Sequence, residues 1–168
     1  QISLIKGCLK DLNLDDRQFP PRSVLGTVSA AKNALLTARE FARQADDFYA
    51  RQVAEVYGLY EKKLKDNNAL DFDDLLLLSV RLLRERQDIR EKNQERFRYI
   101  LVDEYQDTNR AQYILTKILA AKWHNICVVG DADQSIYAWR GADIQNIMDF
   151  MRDYPDGTNV RLEQNYRS

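Results

Sequence analysis

Two short apolar segments, each leading into acidic residues, constrain the fold of this chain more than any other feature. Residues 97–102 (FRYILV) are followed directly by Asp103 and Glu104. Residues 126–129 (ICVV) lead, after one glycine, to Asp131. Apolar runs of this length, bounded by turn-forming or charged residues, are typical of buried β-strands. The sequence therefore predicts two strands that each deliver carboxylates at their carboxyl end.

An amphipathic helix is predicted between these strands, with Asp107 or Thr108 as its N-cap. Its apolar stripe consists of Ala111, Ile114, Leu115, Ile118 and Leu119. Another helix is predicted to begin near Asp143, and residues 160–162 are a candidate third strand. Because alternating strands and helices build parallel sheets, residues 96–168 are predicted to form part of an α/β domain.

Residues 1–95 carry no strand signal and are predicted to be all helical, beginning close to Gln1. Pro20 and Pro21 form a favoured start for a helix that continues to Asn33. A longer helix is predicted from about Asp46 to Asp66. Its buried face is predicted from the spacing of Tyr49, Val53, Val56, Tyr57, Tyr60 and Leu64.

Three aspartates precede a leucine-rich segment in this helical half. Asp71 is predicted to cap a helix that reaches about Arg86, and Asp73 and Asp74 lie in its first turn, where the helix dipole favours acids. A metal-binding cluster is the alternative interpretation. Because this helix is apolar nearly all round at its start, we expect it to be buried on several sides.

The composition excludes several classes of protein. With 45% hydrophobic and 30% charged residues, the chain resembles globular rather than disordered proteins. No apolar run approaches the length of a membrane span, since the four leucines at 75–78 are followed by Ser79, and no membrane association is expected. Cys8 and Cys127 have no metal-site spacing, which favours a reducing, cytoplasmic compartment. The single histidine, His124, is expected at the edge of a loop.

The net charge of −1 gives no general affinity for nucleic acid. Proteins that bind phosphate backbones through bulk charge usually carry an excess of basic residues. Any contact with DNA must therefore come from a local group of side chains or from surfaces elsewhere.

The acids at the strand ends have a possible chemical role. Ligands of open parallel sheets bind beyond the carboxyl ends of the strands. An apolar strand that delivers two adjacent carboxylates has the form of a Walker B element, in which one acid holds Mg²⁺ and its neighbour polarises the water that attacks the γ-phosphate. A strand that ends in a solvated acidic turn has the same pattern, so these residues alone leave both interpretations open.

Three longer motifs resemble those of superfamily 1 DNA helicases of the PcrA, UvrD and Rep group. The sequence VDEYQDTN at 102–109 resembles motif II, VGDADQSIYAWRGA at 129–142 resembles motif III, and LEQNYRS at 162–168 resembles motif IV. They occur in the order of the family and at plausible spacing. The helical half, including ALDFDDLL at 69–76, is similar to the inserted subdomain called 1B and its return to motor domain 1A.

The resemblance implies a fold and a division into domains. The fold would be α/β, with a partial RecA-like parallel sheet of the P-loop NTPase type. Residues 1–95 would form the all-helical subdomain. Residues 96–168 would form the second part of motor domain 1A.

The resemblance also implies roles in the binding and hydrolysis of ATP. Asp103 would bind the Mg²⁺ of Mg-ATP, and Glu104 would act as the general base for the attacking water. Gln134 would sense the γ-phosphate and couple it to the DNA site. Arg167 would stabilise charge in the transition state, and Tyr166 would stack on the adenine.

A second group of residues is implied to bind DNA. Tyr137 and Trp139 would stack on bases of single-stranded DNA, with Arg140 beside them. Every base has a π-face, so stacking binds single strands without sequence preference, as a motor that moves over any sequence requires. The two aromatic residues could instead belong to an ordinary core, Arg140 could form a surface ion pair, and Arg167 could be a helix-capping charge.

The function implied is an ATP-dependent helicase, with ATP and Mg²⁺ as cofactors. It would move 3′ to 5′ on single-stranded DNA and act at junctions of single and double strands. The motor portion of a helicase-nuclease is one alternative, and a non-hydrolysing scaffold with an ATPase-like fold is another. Intact Asp103, Glu104, Gln134 and Arg167 argue against the scaffold.

No phosphate-binding loop of the form GxxxxGK[ST] can be built from the six glycines. In the resembled family this loop lies before the helical subdomain, and a second motor domain follows motif IV. We therefore expect a fragment that is truncated at both ends, with the remaining segments of the same helicase as its partners. Alone, the chain is expected neither to bind ATP tightly nor to hydrolyse it.

Overall fold

The computed structural model describes residues 1–131 and 145–161, and all statements about structure concern these residues. The helices are α1 (Ile2–Asp11), α2 (Pro21–Asn33), α3 (Ala38–Gln44), α4 (Phe48–Asp66), α5 (Phe72–Glu85), α6 (Gln87–Arg96), α7 (Arg110–Ala120) and α8 (Gln145–Asp153). The strands are β1 (Ile100–Val102) and β2 (Ile126–Val128), and a 3₁₀-helix spans Tyr105–Asp107. The order of elements confirms the prediction of helices followed by an α/β part.

The helical half packs around one apolar cluster between α1, α2 and α4. The face of α4 predicted from the sequence is confirmed, because Val53, Val56, Tyr57 and Tyr60 are fully buried. Tyr49 and Leu64, at the two ends of the stripe, pack against the cluster from its edge. Burying a large apolar side chain stabilises a fold by roughly 1.5–3 kcal/mol, so this face fixes α4 against its neighbours.

Helix α5 begins as predicted, with Asp71 as its N-cap. The Asp71 side chain accepts from the Asp74 backbone N–H and the Asp74 side chain accepts from that of Asp71, which is a capping box. The same two carboxylates bind the buried ammonium group of Lys32. Within the described residues no group of three or more side chains is arranged to hold a metal ion.

The predicted burial of α5 on several sides was wrong. Phe72 is 81% exposed and Leu75 is 54% exposed, whereas Leu77, Val80 and Leu83 are buried. In the described part of the chain α5 packs mainly against α2, α6 and α7, which cover one face of the helix. The opposite face therefore remains an apolar surface.

The two strands are parallel and in register, with Ile100 opposite Ile126 and Val102 opposite Val128. Helix α7 provides the crossover between them, as the alternation of strand and helix predicted. A third strand at 160–162 was wrong for the two positions that are described. Val160 is 74% exposed and, like residue 161, lies in irregular chain that pairs with neither β1 nor β2.

The N-cap of α7 differs from the prediction. Asp107 and Thr108 do not cap the helix; Asn109 does, and its side chain accepts from the Gln112 backbone N–H over 2.9 Å. The reason is that Glu104 turns the chain through a left-handed conformation into the 3₁₀-helix, which delays the start of α7.

The helical half and the α/β part contact each other through α5, α7 and α2. The side-chain amide of Asn109 donates to Oδ1 of Asn33, 76 residues earlier, over 2.8 Å. The boundary between residues 95 and 96 stays a prediction. His124 is exposed in the loop before β2, as expected. None of the described helices is both long and apolar enough to cross a membrane.

Candidate active site

The acidic pair predicted from the sequence lies directly at the carboxyl end of β1. Backbone hydrogen bonds continue beyond the strands, from Val129 N–H to the Val102 carbonyl (2.8 Å) and from Tyr105 N–H to the Val129 carbonyl (2.9 Å). These bonds hold the segment that contains Asp103 and Glu104 against the end of β2. The two acids and Asp131 therefore lie at the same edge of the sheet, as expected for parallel strands.

Asp103 and Glu104 are both exposed, but their local geometry differs. Oδ1 of Asp103 accepts from the Glu104 backbone N–H over 2.9 Å. Oδ2 accepts no hydrogen bond from the residues that the structure describes. Glu104 has φ 50° and ψ 44°, a left-handed conformation that is uncommon for a residue with a side chain. Such outliers are frequent at functional sites, where the surrounding structure maintains them.

A buried glutamine connects Glu104 to the end of the second strand. Gln106 is only 1% exposed, and its Nε2 donates to Oε2 of Glu104 over 2.8 Å. Its Oε1 accepts from the Asp131 backbone N–H over 3.0 Å. The orientation of the amide group follows from its partners, because a carboxylate can only accept and a backbone N–H can only donate.

Gly130 provides the space that this glutamine occupies. A Cβ atom at Gly130 would lie 2.8 Å from Oε1 of Gln106 and 3.3 Å from its backbone nitrogen. No side chain fits at such distances unless its neighbours move. The glycine between β2 and Asp131 therefore permits the close approach of Gln106, which any side chain there would displace.

Side chains of α8 contact the 3₁₀-helix that follows Asp103 and Glu104, and they stabilise its position. The side-chain amide of Asn146, which is fully buried, donates to the Thr108 carbonyl over 2.9 Å. The Tyr105 and Phe150 rings pack edge to face, with centroids 5.6 Å apart. Burial is the main cause that raises the pKa of Tyr105 to about 12.

Ion pairs also connect α8 to α7. Arg110 binds Asp149 over 2.6 Å, and Lys117 binds Asp153 over 2.6 Å. Tyr113 also donates to the Asp153 carboxylate. Hydrogen bonds from Lys117 and Tyr113 hold the pKa of Asp153 below its ordinary value. The segment after the acids is thus packed between two connected helices.

The remaining predicted site residues lie outside the described residues. They are Gln134, Tyr137, Trp139, Arg140, Tyr166 and Arg167. Of the predicted site, the structure brings together Asp103 and Glu104, next to the end of β2. The roles of all eight residues stay predictions.

Two surface clefts of the described chain lie elsewhere. One, of about 370 Å³, is lined by α3 and α5 residues that include Arg39, Arg43 and Arg84. The other, of about 390 Å³, is lined by residues such as Leu64 and Phe72. Neither cleft is lined by Asp103 or Glu104, which are both exposed at the sheet edge.

Gln106 is the residue of this site that the sequence did not reveal. A polar residue between Tyr105 and Asp107 carries no periodic signal, and its contacts are with Gly130 and Asp131, which follow β2 about 25 residues later in the chain. The glycine before Asp131 is the one local indication that another group approaches closely there.

Comparison with known proteins gives a consistent result. Residues 1–155 match the UvrD/REP helicase N-terminal domain. The whole chain is 55% identical to the ATP-dependent DNA helicase PcrA of Bacillus subtilis (strain 168). It is 51% identical to PcrA of Staphylococcus aureus (strain Mu50 / ATCC 700699) and 52% identical to PcrA of Staphylococcus epidermidis. In each comparison the chain spans 23% of the relative's length. The chain therefore belongs to the UvrD/REP helicase family, within its N-terminal domain.

Proposed function

We propose that this chain is part of the ATP-driven motor of a DNA helicase, in which ATP hydrolysis drives 3′ to 5′ movement on single-stranded DNA and separation of the duplex. The observation that carries the proposal is the pair Asp103 and Glu104 at the carboxyl end of a strand in a parallel sheet. Membership of the UvrD/REP helicase family and relatives that are ATP-dependent DNA helicases support it.

Asp103 suits the binding of Mg²⁺. Mg²⁺ prefers oxygen ligands, keeps several of its waters, and is usually bound through one or two carboxylates together with substrate phosphates. Asp103 is exposed, and its Oδ2 is available in the described structure while Oδ1 is fixed by the Glu104 backbone. Mg²⁺ bound there with ATP would neutralise charge on the β- and γ-phosphates.

Glu104 is proposed to act as the general base. Its exposed carboxylate is adjacent to Asp103, so a water next to the γ-phosphate would lie within its reach. Accepting a proton from that water would increase its nucleophilicity as its bond to the γ-phosphorus forms and the bond from the γ-phosphorus to the leaving ADP oxygen breaks. General base catalysis of this kind contributes about 10²–10⁴ in rate.

The other contacts are proposed from the motifs. Gln134 and Arg167 would contact the γ-phosphate, and Tyr166 would stack on the adenine. Tyr137 and Trp139, with Arg140, would bind single-stranded DNA. Gln134 and Trp139 are five positions apart, so a movement of Gln134 that depends on the γ-phosphate can alter how strongly Trp139 binds DNA.

Further segments of the same protein are proposed to complete the site and the fold. They include a phosphate-binding loop and a second motor domain. Exposed apolar side chains support this proposal, since Leu101 in β1 is 79% exposed and Phe72 in α5 is 81% exposed. Apolar surfaces of this kind are usually covered by other protein. Without those segments the chain is expected to lack ATP hydrolysis.

The test uses the full-length protein and a change of Glu104 to Gln. We expect DNA-stimulated ATP hydrolysis and strand separation to fall by roughly 10²–10⁴, with ATP binding retained. Glu55→Gln, the same change at an exposed position on α4, is the matched control. If Glu104→Gln hydrolysed ATP near the unmodified rate, Glu104 would not be the base.

A further inference from the structure

We infer that Gln106 is a positioning residue that holds the Glu104 carboxylate in the orientation needed for ATP hydrolysis. This inference rests on the proposed function of Glu104. The observation behind it is a single buried amide with two partners, the Glu104 carboxylate at 2.8 Å and the Asp131 backbone N–H at 3.0 Å. Glu104 follows β1, whereas Asp131 follows β2.

The contact with Gln106 restricts the conformational freedom of the Glu104 side chain. An exposed glutamate ordinarily samples several rotamers, and only some of them direct its carboxylate at a given water. The hydrogen bond from Nε2 of Gln106 selects among these rotamers. It engages Oε2 and leaves Oε1 without a partner among the described residues, so one oxygen remains to accept a proton.

Gln106 is itself held in one place by burial and hydrogen bonding. Its side chain is almost completely buried and its Oε1 accepts from a backbone group next to β2. A buried side chain with both ends of its amide hydrogen-bonded has one orientation, because rotating the amide would oppose two acceptors and two donors. The hydrogen-bond partner of Glu104 is therefore a side chain with a fixed position at the sheet edge.

Two features of the surrounding backbone permit the contact between Gln106 and Glu104. The left-handed conformation of Glu104 turns the chain so that side chains two residues apart meet. Gly130 leaves open the volume that Oε1 of Gln106 fills. Both features favour the contact between Gln106 and Glu104, and a strand that simply ends in a solvated turn requires neither.

The experiment compares Gln106→Met with the unmodified full-length protein in steady-state and single-turnover ATP hydrolysis. Methionine keeps the length and apolar volume but has no donor. We expect kcat to fall at least about tenfold, within the range that general base catalysis contributes, while the KM for ATP changes little. Gln94→Met is the matched control, since Gln94 is also buried and donates to a backbone carbonyl, that of Ile118.

A second comparison separates positioning from a purely structural role. In the Glu104→Gln background, Gln106→Met should cause no further loss of hydrolysis, because its effect acts through Glu104. Additive losses in the double variant would overturn the inference. Unchanged kcat in Gln106→Met, with hydrolysis lost in Glu104→Gln, would also overturn it while leaving the proposed function intact.

If Gln106→Met does not fold, Gln106→Glu replaces it, because glutamate has nearly the same shape. A second carboxylate would repel Glu104, so hydrolysis should fall. In the Glu104→Gln background the introduced acid can accept from the new amide, so no further loss is expected. Hydrolysis by Gln106→Glu at the unmodified rate would overturn the inference. Full hydrolysis by Glu104→Gln alone would instead contradict the proposed function.

Discussion

Lys32 and Asp71 form an ion pair in the interior of the protein, with Nζ of the lysine 2.7 Å from Oδ2 of the aspartate. The side chains are 0% and 2% exposed. Asp74 binds the same ammonium group over 2.7 Å, and the Tyr60 hydroxyl donates to Asp71 over 3.0 Å. The end of α2 is thus connected to the first turn of α5 by a network in which each charge has partners.

Replacing Lys32 with methionine should destabilise this part of the protein strongly. The change leaves two buried carboxylates without their cation, and breaking a buried pair in this way costs about 3–5 kcal/mol. The thermal unfolding midpoint of the full-length protein and hydrogen exchange of the α5 amides measure the effect. Lys63→Met is the control, because Lys63 pairs with the more exposed Asp11 and should have a much smaller effect. Equal effects of the two changes would contradict this account.

The same network predicts a loss of stability in acid. Burial alone would raise the pKa of Asp71. The hydrogen bond and charge of Lys32, together with hydrogen bonds from the Asp74 backbone N–H and the Tyr60 hydroxyl, outweigh burial and lower the pKa. A carboxyl with a lowered folded pKa stabilises the fold above its unfolded pKa of about 3.9 and loses that contribution as pH falls through the folded value. The protection factors of the α5 amides, which correct for the pH dependence of intrinsic exchange, should therefore fall below about pH 4. Asp71→Asn should flatten this dependence, and an unchanged slope would exclude Asp71 as its source.

Gly130→Ala should disturb the site through Gln106. The added methyl group would lie 2.8 Å from Oε1, so the amide must move away from Asp131 and Glu104. We expect slower ATP hydrolysis and a destabilisation of roughly 1–3 kcal/mol, as for other overpacked positions. Gly58→Ala is the matched control, because a Cβ at this exposed position in α4 meets no atom within 4 Å. That control should be neutral or stabilising by roughly 0.5–1 kcal/mol.

Trp139→Ala should weaken the binding of single-stranded DNA by the full-length protein. Loss of one stacked base contact costs about 1–3 kcal/mol, and the loss should not depend on DNA sequence. Fluorescence anisotropy with single strands of different sequence measures it. Trp123→Ala is the control, since that indole lies in the turn after α7 and donates to the Gln94 carbonyl. Unaltered affinity of Trp139→Ala would favour the interpretation of Trp139 as a core aromatic residue.

The sequence predicted those features of the fold that depend on local patterns. The apolar stripe of α4 follows from helical spacing, and the cap at Asp71 follows from the chemistry of helix starts. The positions of Asp103 and Glu104 could be predicted because a strand and the residues that follow it form a pattern over a few neighbouring positions. Their structural positions agree with the prediction, although their roles remain proposals.

The features that were missed depend on contacts between distant parts of the chain. Nothing near Lys32 indicates that it is buried against acids 39 and 42 residues later. The cap of α7 was placed too early because the left-handed turn at Glu104 adds a 3₁₀-helix that has no sequence pattern of its own. The exposed face of α5 was not predicted, because the leucines in the sequence show that the helix is apolar but do not show which elements cover each of its faces.

A crystal structure of the full-length protein with Mg²⁺ and a non-hydrolysable ATP analogue tests the central claim most directly. We predict Mg²⁺ bound to Asp103, either directly at about 2.0–2.1 Å or through one of its waters. We also predict the Glu104 carboxylate facing the water next to the γ-phosphate, with Gln106 still donating to it. A nucleotide bound away from this sheet edge, with both acids directed into bulk solvent, would contradict the account.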